Sequence, residues 1–412
     1  MYQEWCKPLL ISCEAAFGYV QVAKRIANIR LNRNNMRKQK ILIGLFIGSL
    51  ILPGAVWAAF SNNFDTENNE NRELAAFPEV SLASVAEFPQ QFEAYYKDHV
   101  PFKNDLVKFG NFIDTGIFRN TKIGDVVIGK DNWLFYLPAR EGEDAMADYQ
   151  KTNVYTLEKS SEIARKIEKV RDWFLDRGVT KFHYYVAPSK ETLYSEYMPD
   201  KPKVIGIGDS RMETFARYMK ENSDVEFDFL ADYLDQYSEK YQLFRKYDTH
   251  MNNLGGYITN EKIVKDMTGE CLPIDEIQVL MGTKPCRGDL SRMIGRYKEL
   301  DDDREYGLDY FHVGVRYRVK KELSEGGEEI LKVFRSNSAN EKTLMVIGDS
   351  FRLRLEKYMP YRYGKTIFVR IDDFTPELLE RYMPDDIVML TVERDQRYME
   401  NLDSYIIQEE EK

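Results

Sequence analysis

The chain has 412 residues, enough for one large domain or two ordinary ones, and its 43% hydrophobic and 13% aromatic residues can bury a substantial core. Residues 1–60 hold eight of the 58 basic and two of the 68 acidic residues, which leaves residues 61–412 with 50 against 66, a net charge of −16. That balance argues against nucleic acid, or any anionic polymer held mainly by charge, as a partner, although a local basic groove stays open.

In chain order, Lys24, Arg25, Arg30, Arg33, Arg37, Lys38 and Lys40 precede Ile41 to Phe60, which is 20 residues without a charge. That is about the length that spans a bilayer, and Pro53 inside it can kink the span. Asn62, Asn63, Asp65 and Glu67 follow. The positive flank predicts a cytoplasmic N-terminal tail (1–40), an anchor (41–60) and an outward-facing C-terminal mass on the cell membrane. A cleaved signal peptide is the competing reading. The run is long for an h-region and no clean A-x-A site follows, so the anchor is preferred. Met36 directly precedes the basic flank and is a candidate start of translation.

Residues 61–80 are polar and read as a juxtamembrane linker. Phe88 to Tyr96 and Phe102 to Phe118 have the pattern of amphipathic helices, and 61–124 together form a linker and helical strap. Val126 to Tyr136 reads as a hairpin with Gly129-Lys130-Asp131-Asn132 at its turn. Residues 139–152 read as a loop. From Asn153 the pattern is α/β. Ile163, Ile167, Val170 and Phe174 recur at helical spacing and Gly178 stops the helix. Phe182–Ala187 and Val225–Leu230 follow as strands, Asn253–Thr268 as a helix and Ile277–Leu280 as a short strand. Tyr310–Val319 alternates like an antiparallel ribbon. Leu344–Ile347 is the central strand, with a helix-like stretch from Arg352 to Tyr361. Thr366–Ile371, the helix Pro376–Tyr382 and Ile387–Val392 complete the pattern. Strands alternating with helices imply a parallel sheet covered on both faces, here over residues 125–412.

The chemistry centres on Gly348-Asp349-Ser350, at the carboxyl end of the apolar strand, where open α/β sheets bind ligands. The competing reading is that Asp349 or Ser350 only caps a helix. A serine nucleophile needs a base, and the chain has four histidines: His99, His183, His250 and His312. In Tyr247-Asp248-Thr249-His250, a carboxylate two residues before an imidazole can hold one ring nitrogen and leave the other to a serine. An incidental loop histidine is the alternative. His183 alternates within a strand and reads as packed or capped; His99 and His312 lie outside the α/β pattern. Ile207-Gly208-Asp209-Ser210 repeats the Gly-Asp-Ser sequence but opens a charged helix, as an N-cap would. Cys271 and Cys286 fall in the outward part and could pair across a short loop. No C-x-x-C occurs and neither cysteine has metal-like spacing to a histidine, so no metal is expected.

Taken in order, several segments resemble the alginate O-acetyltransferase AlgJ/AlgX-like family of the SGNH-hydrolase superfamily. They are Asn71-Arg72-Glu73-Leu74 with Phe77-Pro78, Tyr95-Tyr96-Lys97-Asp98 with Pro101-Phe102, Val127-Ile128-Gly129 with Trp133-Leu134-Phe135-Tyr136, and Ala187-Pro188-Ser189-Lys190. Asp248-Thr249-His250, Gly288-Asp289-Leu290, Gly348-Asp349-Ser350-Phe351, and Asp385-Asp386-Ile387-Val388 leading to Glu393-Arg394 follow. The resemblance implies a three-layer, SGNH-like (flavodoxin-like) fold with Ser350 as nucleophile, His250 as base and Asp248 as its orienter. The Asp-x-His unit precedes the serine, the reverse of ordinary SGNH hydrolases. Met251 stands where the family often has tryptophan, which puts an aromatic sugar platform there in doubt. The Ser350 N–H is the first candidate oxyanion donor, with Arg352 and Arg394 as further helpers. The implied function is a membrane-anchored, extracytoplasmic O-acetyltransferase acting on a polysaccharide through an acyl-serine. It needs no cofactor, and a membrane-bound O-acyltransferase supplies the acetyl group. The rivals are a carbohydrate esterase with the same triad and a non-catalytic glycan-binding subunit of an export complex.

Overall fold

The computed structural model describes residues 33–60, 74–78, 87–99, 103–114, 120–309, 314–323 and 329–408. The chain divides into two compact units, one of residues 1–66 and 74–105, the other of 67–73 and 106–412.

In the first unit, the predicted span lies on the helix Arg33–Phe60, and the side chains described from Ile41 to Ser49 are exposed. Among the described residues no helix is long and apolar enough to cross a membrane. The helix Phe88–Asp98 forms as expected and gathers aromatic residues: Phe77 lies edge-on to Phe92 and Tyr95, with ring centres 6.1 and 5.1 Å away. His99, at the end of this helix, stacks on Tyr95 and bonds its carbonyl.

The helix expected over 102–118 appears as Lys103–Phe112, and 115–119 lie outside the described residues. In the second unit, strands β1 (Lys122–Ile123), β2 (Val126–Ile128) and β3 (Leu134–Tyr136) form an antiparallel ribbon. Its turn carries Asp131 and Asn132 at positive φ. The expected loop 139–152 instead contains a helix, Ala145–Gln150, because the Asp144 carboxylate caps the Ala147 N–H and Ala145 is buried.

The main sheet holds β4 (Lys181–Ala187), β5 (Phe227–Phe229), β8 (Tyr317–Leu323), β9 (Glu329–Ser336), β10 (Thr343–Gly348), β11 (Lys365–Arg370) and β12 (Asp386–Val392). Their order is β5-β4-β12-β10-β11-β9-β8. The first five are parallel, β9 runs antiparallel to β11 and β8 antiparallel to β9, so the sheet is mixed rather than purely parallel. The part of the predicted ribbon at 310–313, with His312, lies outside the described residues. β6 (Gln278–Pro285) pairs with β7 (Arg304–Asp309) away from the main sheet.

Successive side chains of β10 point to opposite faces. Leu344 and Val346 enter one core with Leu254, Tyr257 and Ile258 of the helix Asn253–Thr268. Met345 and Ile347 enter the other with Ile163, Ile167, Val170 and Phe174 of the helix Leu157–Leu175 and with Phe215 of Arg211–Asn222. Helices thus cover both faces of a central sheet, and β10 lies between β12 and β11 at its middle.

Candidate active site

The Ser350 turn is built by its neighbours. A β-carbon on Gly348 would lie 2.0 Å from the Leu390 carbonyl oxygen of β12, so only glycine lets the two strands stay paired there. The buried Asp349 carboxylate accepts the Phe351 N–H at 2.8 Å and the Val392 N–H at 2.6 Å, clamping the turn to the end of β12. Burial raises its pKa, against the pull of those two bonds. Asp349 is therefore the cap that the cautious reading of the motif foresees, and this leaves the Ser350 hydroxyl unused for capping. The stretch after it is not the expected helix. It forms two short 3₁₀ turns, Ser350–Arg354 and Met359–Tyr361, the second starting at Met359-Pro360. Of the first three N–H groups of the Ser350 turn, Phe351 and Arg352 bond Asp349, and the Ser350 N–H has no acceptor among the described residues.

The imidazole comes from a loop pinned at its base. Phe244 and Met251 form an antiparallel bridge, and Asn252 then caps the helix Asn253–Thr268 through Leu254 and Gly255. Inside this loop Asp248 Oδ1 accepts both the His250 backbone N–H at 3.0 Å and Nδ1–H at 2.7 Å. Nε2 is left to accept the Ser350 hydroxyl at 2.8 Å. Burial alone would raise the Asp248 pKa, but the hydrogen bond and charge of His250, with Arg245 Nη1 3.8 Å away, hold it well below the usual carboxylate range. Asp248, His250 and Ser350 thus form one continuous hydrogen-bonded chain.

Two positioning groups carried no assigned role in the sequence. Lys190, buried just after β4, donates to the carbonyls of Arg245, Lys246 and Asp248 at 3.0, 3.2 and 2.7 Å. Burial lowers its pKa to about 8, against the pull of Asp248 and Asp289. Asp289 accepts the Thr249 N–H at 2.9 Å and the Thr249 hydroxyl at 2.7 Å. Gly288 allows this approach, because a β-carbon there would lie 1.9 Å from the Tyr247 carbonyl oxygen. Both residues stand inside segments that match the family in order, and that position was the available signal.

The remaining candidates separate. Arg394 is buried, with its guanidinium 5.5 Å from the Phe351 ring centre and 5.6 Å from that of Tyr136. Its Nε is 3.7 Å from Glu143, and it makes no hydrogen bond among the described residues. Arg352 donates to the Asp349 carbonyl at 2.8 Å and braces the turn from within. Ser210 forms a capping box with Glu213, as expected. Both ring nitrogens of His183 are engaged, by Asp228 at 2.8 Å and by the Tyr185 hydroxyl at 3.1 Å. Met251 is buried in the core and offers no sugar platform. Cys271 and Cys286 are both free thiols, which corrects the pairing considered from sequence, and burial raises the Cys286 pKa to about 11.

Two groups bring imidazole and carboxylate atoms within 4.8 Å of one another: Asp248, His250 and Asp289, and His183, Asp228 and Asp266. In the first, the imidazole nitrogen facing the carboxylates already donates to Asp248. In the second, the Lys262 ammonium bonds Asp266 and lies 3.5 Å from Asp228, so a cation is built in.

Three solved structures are similar to this chain. PatB1 of Bacillus cereus is 13% identical, with TM-score 0.48, over 66% of this chain and 96% of that one. The O-acetyltransferase domain of Pseudomonas putida AlgJ is 16% identical, with TM-score 0.42, over 68% and 93%. AlgX of Pseudomonas aeruginosa is 11% identical, with TM-score 0.41, over 68% and 65%. No curated protein sequence matches the chain. The family described as "SGNH hydrolase-like domain, acetyltransferase AlgX" matches residues 126–356, more than half of the chain and from the ribbon through the Ser350 turn, and the chain belongs to that family.

Proposed function

We propose that the chain is an O-acetyltransferase that esterifies a hydroxyl of a cell-surface or secreted polysaccharide. The observation that carries this reading is the hydrogen-bonded chain Asp248–His250–Ser350 in a member of an acetyltransferase family. In the first half-reaction His250 Nε2 takes the Ser350 proton as Oγ attacks the acetyl carbonyl of the donor. The oxyanion is stabilised by the Ser350 N–H and by the Arg394 guanidinium, which makes no hydrogen bond among the described residues. Collapse expels the donor's leaving group, which receives the proton from His250, and leaves acetyl-Ser350. In the second half, His250 takes the proton of a sugar hydroxyl, and that oxygen attacks the acetyl-serine. Collapse returns the proton to Ser350 and releases the O-acetyl sugar. Arg352 has no substrate contact in this scheme, because its guanidinium is committed to the turn.

The apolar, uncharged stretch from Ile41 to Phe60 and its basic flank support a single-pass anchor with the catalytic domain outside the cytoplasm. An outward-facing enzyme needs an acetyl donor on that side, and a membrane-bound O-acyltransferase is the proposed supplier. The test is glycan-bound acetate in cells carrying Ser350→Ala in place of the wild type. Loss of polymer acetylation with the polymer still exported supports an enzyme. Unchanged acetylation contradicts it, and loss of export itself indicates a scaffold.

A further inference from the structure

On the far side of the sheet, three cations stand in one row. Arg318 of β8 pairs directly with Arg335 of β9, and Arg335 pairs directly with Lys365 of β11. Neighbouring strands are about 4.8 Å apart, so the three side chains project side by side from one face. Like charges directly opposite each other destabilise a sheet. Neither guanidinium has a hydrogen bond or a carboxylate partner among the described residues. Among the described residues the Lys365 ammonium donates only to the Tyr382 carbonyl, at 3.3 Å. Burial and the Arg335 charge lower the Lys365 pKa, against a weaker opposing pull from Asp385.

The opposite face of the same strands shows how the fold otherwise handles such a pair. Lys321 of β8 lies directly across from Lys332 of β9. There Glu329 bonds both, at 2.7 and 2.9 Å, and Glu356 adds a second contact to Lys332 at 2.6 Å. The row of Arg318, Arg335 and Lys365 receives no such carboxylate among the described residues. Glu322, the one acid among the described residues of its wall, is held by Arg381 at 2.8 Å and by the Tyr382 hydroxyl at 2.9 Å. Asp385 is held by the Thr343 N–H at 2.7 Å. With Lys320 and Arg381, five cations and one carboxylate line a cavity of about 370 Å³, in a chain whose net charge is −10. Protection of the edge strand would explain cations on β8. It does not explain Arg335 and Lys365, which lie on the second and third strands inward.

We propose that this face is a phosphate-binding site, with Arg318, Arg335 and Lys365 as its ligands. A phosphoryl group carries up to two negative charges and oxygens that accept from several sides. A row of three donors on adjacent strands suits it better than a single carboxylate, which one arginine fork satisfies. The site lies at the start of β11, whose Lys365 pairs with Thr343 at the start of β10, whereas Ser350 follows the far end of that strand. The separation along the strand is about 16 Å at roughly 3.3 Å per residue. The ligand is therefore not the reacting acetyl group. The phosphoryl group belongs either to a soluble phosphate ester or to a lipid headgroup.

The test uses the 412-residue chain in nonionic detergent at low ionic strength. Titration with inorganic phosphate and glycerol 1-phosphate is compared with chloride of equal ionic strength. A second arm compares flotation with mixed phosphatidylcholine/phosphatidylglycerol vesicles against pure phosphatidylcholine. Phosphate-specific binding that Arg335→Gln weakens roughly tenfold or more, the usual scale for a charge-assisted bond, assigns a soluble phosphate ester. A phosphatidylglycerol-dependent gain that Arg335→Gln removes, without soluble binding, assigns a headgroup. Lys321→Gln, on the carboxylate-paired face, is expected to leave either effect intact. Arg335→Gln should melt no lower than wild type without phosphate, since it relieves repulsion, and should keep its ester-cleaving rate. No preference for phosphate or phosphatidylglycerol in the wild type overturns the proposal. Equal binding by wild type and Arg335→Gln overturns it too.

Discussion

At the scale of single residues, the site depends on which atom each short motif leaves free. The two Gly-Asp-Ser copies share a sequence and differ in outcome. In the copy at 208–210 the serine caps a helix, and in the copy at 348–350 the aspartate does, which releases Ser350 to His250. The strand Leu344–Ile347 before the second copy made this difference legible in the sequence. The clamp from Asp349 to Val392 was not legible, because it joins residues 43 apart. Two predictions belong at this scale. Asp248→Asn replaces the anionic acceptor of the His250 Nδ1–H with an amide whose NH2 favours the wrong tautomer, so acetyl-ester cleavage should fall at least about a hundredfold while the melting temperature holds within a few degrees. A wild-type rate in Asp248→Asn would place the base elsewhere. Asp349→Ala leaves two buried N–H groups without an acceptor, and should cost at least about 2 kcal/mol in a denaturant titration.

At the scale of elements, the loop 244–251 and the first turn after β4 act as one piece, riveted by the Lys190 ammonium. Lys190→Met strands three carbonyls beneath the imidazole. It is expected to lower kcat for a chromogenic acetyl ester more than tenfold, with a smaller change in KM, because loosened positioning is felt mainly in the transition state. Lys190→Arg should restore part of that loss. Unchanged kcat in Lys190→Met would reduce the lysine to a packing role. Strongly patterned elements were legible in sequence: the helix Leu157–Leu175, the buried strands β4, β10 and β12, and the helix Asn253–Thr268. The strands β7 and β9 were missed. Their side chains mix charged and apolar residues without a strict alternation, and β7 pairs with β6 across residues 286–303. The helix expected after Ser350 failed because local apolar spacing cannot foresee the hold of Asp349 on the turn.

At the scale of the whole molecule, the carboxyl ends of β4, β10 and β12 gather buried acids next to the site. Burial raises Glu393 to about 8, helped by the Asp148 charge and opposed by the Thr192 and Ser189 hydrogen bonds. Burial likewise raises Glu191 to about 7. The folded chain thus keeps protons that the unfolded chain releases near the ordinary glutamate value of 4.5. Their contribution to stability is full below that value and is lost as pH rises toward 8. Thermal melting should therefore show wild-type stability falling between about pH 4.5 and pH 8, with a smaller fall in Glu393→Gln; equal falls would contradict the assignment. The α/β class and the pairing of the Asp248-Thr249-His250 segment with the Gly-Asp-Ser turn at Ser350 were legible in the sequence, whereas the antiparallel extension of the sheet by β9 and β8 was not, because strand order is fixed by long-range pairing. The central claim is that the Ser350 hydroxyl becomes acetylated. Its most direct test is intact-protein and peptide mass spectrometry after brief exposure to a chromogenic acetyl ester and an acid quench. The account predicts one acetyl group on the peptide containing Ser350, absent in Ser350→Ala and retained in Ser210→Ala. An acetyl group that persists in Ser350→Ala, or no acetyl-enzyme in a chain that still transfers acetyl, would contradict it.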